Sequence, residues 1–178
     1  MKWVIASDIH GSAYYCEKLL KAYENEKADK LLLLGDILYL GPRNDLPQGY
    51  APKTVIEMLN ARKNEILCVR GNCDTEVDGM VLDFPILADY AIICEKEKVI
   101  YATHGHIYNE QNPLCCCDVM LCGHTHIPAC NEYEGFVYIN PGSVSIPKES
   151  SHHGYMTLEN GLFLWKDLDS NIIKSYEI

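Results

Sequence analysis

Trp3-Val4-Ile5-Ala6-Ser7-Asp8-Ile9-His10-Gly11 decides how this chain is read. Four apolar residues closing on a polar cluster are too few for a helix and predict a buried strand with polar groups at its carboxyl end. The same figure recurs twice. Leu31 to Leu34 closes on Gly35-Asp36, and Ile66 to Val69 opens into Arg70-Gly71-Asn72-Cys73-Asp74. Between these runs the period is helical. A stretch from about Tyr14 to Lys27 puts Leu19, Leu20 and Tyr23 on one face, and one from about Thr54 to Lys63 has Val55, Met58 and Leu59 as its stripe. Strand, helix, strand, helix, strand predicts parallel strands under covering helices, with ligands bound beyond the strands' carboxyl ends.

The second half predicts hairpins instead. Tyr90–Cys94 and Val99–Thr103 flank the charged turn Glu95-Lys96-Glu97-Lys98, and further pairs flank Tyr133-Glu134-Gly135 and Glu159-Asn160-Gly161. Val99–Thr103 ends in His104-Gly105-His106, and Val119–Cys122 in Gly123-His124-Thr125-His126. The Pro- and Gly-containing loop from Tyr39 to Pro52 is long enough to be a substrate-side feature.

At 178 residues, 48% of them hydrophobic, the chain is expected to form one domain over 1–178. A net charge of -10 and the absence of any Lys/Arg run beyond Arg62-Lys63 exclude the basic stripe of a nucleic-acid interface. A phosphate substrate would have to be attracted by bound cations instead. No apolar run approaches the roughly 20 residues that span a bilayer. Nine cysteines without an N-terminal signal-peptide pattern are expected to be reduced, in a cytoplasmic protein. Cys115-Cys116-Cys117 with Cys122 fits no zinc spacing and is expected to pack as small hydrophobes.

Five of the seven histidines (His10, His104, His106, His124 and His126) fall in D-x-H or H-x-H clusters, each just after a predicted strand. Positions i and i+2 of such a loop can turn the same way, so Asp8 with His10, or His124 with His126, can reach one metal. Asp, His and Asn donors without thiolate favour Mn, Fe, Zn, Ni or Co over a Cys-rich structural zinc. More ligands than one tetrahedral ion needs suggest two ions. Each piece has a plainer reading alone: Ser7 or Asp8 could cap a helix near Ser12, Gly35-Asp36 and Gly71-Asn72 could be turns, His104 and His106 could be hydrogen-bonded core residues, and His152-His153 reads as solvated loop.

Taken in order, Asp8-x-His10, Gly35-Asp36, Gly71-Asn72-x-Asp74, His104-Gly105-His106 and Gly123-His124-x-His126 resemble the calcineurin-like metallophosphoesterase family over nearly the whole chain. Gly41-Pro42-Arg43-Asn44, Arg70-Gly71-Asn72-Cys73-Asp74 and Asn140-Pro141-Gly142-Ser143 through Lys148 resemble, more narrowly, its YfcE-type bacterial phosphodiesterases. The resemblance implies an α/β fold, a four-layered α/β/β/α sandwich of two mixed sheets flanked by helices. It also implies that Asp8, His10, Asp36 and His126 hold one divalent ion and Asp36, Asn72, His104 and His124 a second, Asp36 bridging, with Mn2+ the expected metal and Zn2+, Ni2+, Fe or Co2+ open. Asp36, Asn72 and His104 would form the catalytic heart, where a hydroxide shared by two cations attacks phosphorus in line. Arg43, Arg70, Cys73 and His106 are expected to contact the substrate, a small phosphoester. Cys73 departs from the histidine many members place after Asn72 to protonate the leaving oxygen, which a thiol does poorly. Two other functions stay open, a phosphomonoesterase of the same mechanism and a binding scaffold such as the retromer subunit that shares the fold. Whether the protein is a homo-oligomer is also open. A metal-storing or redox-sensing role for the cysteines is a further class, one that would lose metal on thiol alkylation.

Overall fold

The chain runs β1 (Trp3–Ala6), α1 (Ala13–Glu26), β2 (Lys30–Leu33), α2 (Pro52–Asn60) and β3 (Ile66–Cys68), followed by a one-turn 3-10 helix (Asp78–Met80). It continues in strands: β4 (Tyr90–Glu95), β5 (Lys98–Thr103), β6 (Val119–Leu121), β7 (Ala129–Tyr133), β8 (Phe136–Asn140), β9 (Gly154–Glu159), β10 (Leu162–Asp167) and β11 (Ile172–Glu177). The structure is a computed structural model that describes residues 1–114 and 117–178.

Two mixed sheets result, one ordered β11-β10-β9-β1-β2-β3 and the other β4-β5-β6-β8-β7. The apolar runs of β1 and β2 are explained by burial on both faces. Val4, Ala6, Leu31 and Leu33 meet Leu19 and Tyr23 of α1 and Val55 and Leu59 of α2. Ile5, Leu32 and Leu34 point the other way, into a core shared with Ile100, Ala102, Val119, Leu121 and Ile139 of the second sheet. Trp165 ties the layers together, its Nε1 donating to the Asn140 carbonyl at 2.7 Å.

The cap of α1 is Ser12, whose Oγ accepts from the Tyr15 N–H, so neither Ser7 nor Asp8 is needed there. α2 starts on Pro52, where a missing N–H costs nothing. Both helices begin and end within about three residues of their expected bounds.

The second half corrects the hairpin reading in part. The β4–β5, β7–β8 and β9–β10 hairpins form, but β5, β6 and β8 are parallel to one another. The β5-to-β6 crossover, among the described residues, is a loop without helical period, so nothing in its sequence announced a parallel pair. The same loop qualifies the outermost layer. Both α-helices lie against the six-stranded sheet, whereas the outer face of the five-stranded one (Cys117, Met120, Cys122 and Tyr138) is packed by Tyr108 of the loop, with no helix there among the described residues. Cys16, Cys68 and Cys122 are buried free thiols, as expected of small hydrophobes, while Cys115 and Cys116 lie outside the described residues. No helix among the described residues is long and apolar enough to cross a membrane.

Candidate metal centre

The carboxyl ends of β1, β2 and β3 face those of β5 and β6, so five loops meet at one edge of the two sheets. Backbone bonds knit them: Asp8 N–H donates to the Gly35 carbonyl, His10 N–H to Asp36, and Gly123 N–H to His104. A Cβ at Gly71 would collide with the Asp36 backbone nitrogen and Oδ1, and one at Gly123 with the Ser7 side chain, so only glycine permits these approaches. Asp8 (φ 60°), His10 (49°), Asp36 (55°), His124 (67°) and His126 (64°) all lie in the left-handed region. Five of the seven expected ligands in a conformation that costs side-chain-bearing residues energy is the mark of a site held for a purpose.

What the purpose is follows from the imidazoles. The Nδ1–H groups of His10, His104 and His126 donate to the carbonyls of Tyr39 (2.8 Å), Leu34 (2.6 Å) and Ile146 (2.7 Å). Those bonds set the tautomer and leave each Nε2 as a bare lone pair aimed inward. Nε2 of His10 and His126 are 3.2 Å apart, and they sit 3.5 and 3.2 Å from Asp8 Oδ1, which is buried without a hydrogen bond. Nε2 of His104 lies 3.0 Å from Asn72 Oδ1 and 3.6 Å from Asp36 Oδ2. Acceptors facing acceptors at these distances repel unless a cation sits among them, so the donor set fits divalent metal ions.

The titration behaviour agrees. Burial pushes the Asp8 carboxyl up, but the adjoining His10 and His126 rings, to the extent that they take up protons on Nε2, and the charge of His104 more than reverse this and hold it well below its ordinary value. Burial depresses His10, and Asp8, the Tyr39 carbonyl and Asp36 overcome it, so its net shift is upward. The carboxylates call for positive charge, as protons or as the metal that displaces them. His124 goes the other way, lowered to about 4 by burial and by His104, and is neutral near pH 7.

Comparison with known proteins places this arrangement. The model of the calcineurin-like phosphoesterase superfamily domain matches residues 1–161. The chain belongs to this superfamily. Phosphodiesterase YfcE of Escherichia coli strain K12 is 44% identical over 162 residues, 90% of this chain and 88% of that protein. A solved structure of E. coli YfcE superposes with a TM-score of 0.96 at 41% identity, covering 100% of both chains. The probable metallophosphoesterase YsnB of Bacillus subtilis strain 168 is 28% identical over 171 residues, 90% of this chain and 86% of that one. Vps29 of Entamoeba histolytica, solved with zinc, shares the fold at a TM-score of 0.63 and 17% identity, covering 100% of this chain and 98% of that one.

Within the superfamily frame, all seven ligand candidates come together, in two groups. Asp8 and His10 turn the same way, as their spacing suggested. His124 and His126 part: the His126 ring lies 5.0 Å from His10, and the His124 ring 5.0 Å from His104. Asp36 has Oδ2 3.8 Å from His10 and 3.6 Å from His104, between the groups.

The other expected contacts separate more clearly. Arg43 lines a cavity of about 410 Å³ in front of the ligands, together with Asn72 and His124. Arg70 turns toward Glu76, 3.5 Å away, and is not among the residues lining that cavity. The His106 ring packs 5.3 Å from His104 and 6.2 Å from His124, and burial followed by His104 lowers its pKa. Cys73 is buried beside Asp36 and His10. Burial and the Asp36 charge push its thiol up to about 12, so it stays protonated.

Several positioning residues escaped the sequence. Asp74 accepts from the N–H groups of Asp36 (2.8 Å), Ile37 (2.9 Å) and Gly71 (2.7 Å), clamping two ligand loops together. Ser143 and Ser145 both donate to the Asp8 carbonyl at 2.9 Å, and Asn140 Nδ2 donates to the Gly123 carbonyl at 2.6 Å. His153, expected in solvent, stacks on Tyr15 at 4.0 Å, and its Nδ1 is 2.8 Å from the Val144 carbonyl. Asp74 and the Asn140–Ser145 segment sit inside quoted motifs, so their position was a signal, but their partners lie far away in sequence.

Proposed function

We propose that the chain is a phosphodiesterase working with two divalent metal ions, most naturally Mn2+, on small phosphoesters. The inward-facing lone pairs of Asp8, His10, His126, Asp36, His104 and Asn72 carry this reading, together with 44% identity to a protein named a phosphodiesterase. Asp8, His10, Asp36 and His126 would hold one ion, and Asp36, Asn72, His104 and His124 the other, with Asp36 shared. Bound there, two divalent cations would lower the pKa of water from about 15.7 toward ~7 and neutralise phosphoryl oxygens, the conditions for in-line attack on phosphorus. The residues orient these groups. The three histidines are locked by their Nδ1 bonds, Asp36 by the Cys73 N–H at 2.8 Å, and Arg43 faces the same cavity to meet an anionic oxygen of the substrate.

The leaving-group side is less well furnished. A thiol raised to about 12 is a weak proton donor, which favours esters whose leaving groups need little help. Beyond Cys73 lies a cavity of about 230 Å³ bounded by Tyr39, Gly41, Pro42 and Thr75, so an imidazole has space. Cys73→His is expected to flatten the dependence of rate on leaving-group pKa, raising turnover of alkyl esters by about 10- to 100-fold relative to p-nitrophenyl esters. An unaltered slope would show that protonation is supplied elsewhere, with His106 the next group to test.

The closest rival is a phosphomonoesterase of the same mechanism, and a binding scaffold built on the same fold is a second. Both are separated by stripping the metal, reloading with Mn, Zn, Ni, Co or Mg, and comparing matched mono- and diesters. Diester turnover highest with Mn2+ is the expected result. Faster monoester turnover would favour the rival. Two bound ions with no turnover under any metal would leave the scaffold.

A further inference from the structure

The cavity before the metal ligands carries more positive charge than a phosphodiester needs. Of the chain's three arginines, Arg62 pairs with Glu24 and Arg70 with Glu76, while Arg43 is in no ion pair among the described residues and lines the cavity. Lys148 lines it as well and is likewise in no ion pair among the described residues. Its backbone is fixed on both sides. The Lys148 N–H donates to the carbonyl of the ligand His126 (3.2 Å), and its own carbonyl accepts from Ser151 N–H (3.0 Å) and Oγ (2.6 Å). Glu149 and Ser150, both left-handed, make the turn tight. On the facing loop, Asn44 Nδ2 donates to the Leu40 carbonyl at 2.8 Å and closes the turn that presents Arg43. Two cations on anchored backbones thus look into one cavity of a chain whose net charge is -10.

A phosphodiester bears one negative charge. On the two-metal reading proposed above, about +4 from the ions against the two carboxylates and a hydroxide leaves about +1, enough for that ester by itself. Arg43 and Lys148, both exposed at the mouth of the cavity, remain in excess and are placed to meet a further anionic group of the substrate. We infer that Lys148, with Arg43, forms an anion subsite beside the metal centre, and that the preferred substrate is a phosphodiester carrying a second anionic group, a phosphate or carboxylate, on one ester arm. Arg43 can grip that group with its planar fork, and Lys148 meets it as a mobile point charge.

The inference rests on the hydrolytic reading for its substrate, so its test has a binding arm and a turnover arm. Thymidine 3′,5′-bisphosphate and thymidine 5′-phosphate are titrated calorimetrically into the metal-loaded protein with metal in excess. Kinetics are run on the p-nitrophenyl diesters of thymidine 5′-phosphate with and without a 3′-phosphate. In the unaltered protein the additional phosphate is expected to tighten binding by about 10-fold or more and to act on KM rather than kcat, as charge-assisted hydrogen bonds do. Lys148→Met should bring that ratio to within about threefold, and Lys148→Arg should retain it. Equal affinity for the two nucleotides in the unaltered protein would overturn the subsite. So would a ratio that survives in Lys148→Met, which would take Lys148 out of the subsite and leave the extra affinity to Arg43 or the metal. Selective binding of the bisphosphate with no diester turned over would uphold the subsite and sink the hydrolytic reading alone.

Discussion

Asn72→Ala and His124→Ala are each expected to abolish turnover, by on the order of 10³-fold or more, with the fold intact. The two residues are the most accessible of the seven candidate ligands. Asn72 is exposed and His124 half-buried, whereas Asp8, His10 and His104 are fully enclosed. Truncating an enclosed ligand would leave a cavity and unpaired polar neighbours, and lost activity could then be blamed on lost structure. At Asn72 and His124 that objection falls away. Metal analysis should show bound metal falling from two ions per chain toward one, and the melting temperature of the stripped variants should match that of the stripped parent. A retained rate would overturn the second-ion assignment. Two ions still bound in an inactive variant would shift the role of these side chains from holding metal to contacting substrate.

Asp74→Ala is expected to damage stability and metal affinity together. Its carboxylate satisfies three buried N–H groups, of Asp36, Ile37 and Gly71, and alanine would strand all three. At about 1 kcal/mol or more for each stranded donor, the cost is about 3 kcal/mol, which for a chain of this size lowers the melting temperature by roughly 6 to 12 °C. Asp36 stands between the two ligand groups and would lose the bond that fixes its left-handed backbone, so affinity for the ions should drop by about 10- to 100-fold. Asp74→Asn separates the two effects. One oxygen can still accept, but the amide turns an N–H toward other N–H groups, giving an intermediate loss of both. A lowered melting temperature with unchanged metal affinity would reduce Asp74 to a purely structural brace.

The first sheet could be read from the sequence because β1 and β2 are buried on both faces and therefore appear as unbroken apolar runs, with amphipathic α1 and α2 between strands. The same logic failed for β5, β6 and β8. Their parallel order depends on crossovers that carry no helical period, and β11 is largely exposed and offers no pattern to find. All seven ligand candidates stood out because they follow strand ends, four of them in closely spaced pairs. Their supports did not, since a support is defined by its partner. Asp74 holds a backbone 38 residues away, Ser143 one 135 away, and His153 reaches Tyr15 across 138. Cys73 was visible as an oddity, but its protonated state depends on burial and on Asp36 beside it, which only the fold supplies.

The tie between Ser143, Ser145 and the Asp8 carbonyl also sets an order of events during synthesis. Asp8 and His10 leave the ribosome well over a hundred residues before their partners, for β1 gains one of its two neighbours only when β9 pairs with it, and Asp8 is fixed only when residues 143–145 arrive. Contacts of such long sequence separation close late. A nascent chain therefore displays Asp8 and His10, as candidate ligands, without the geometry to grip an ion tightly. On the metal-binding reading, capture would be deferred until residues 143–145 have been made, and the ion retained would be the one that suits the finished centre rather than the first one encountered.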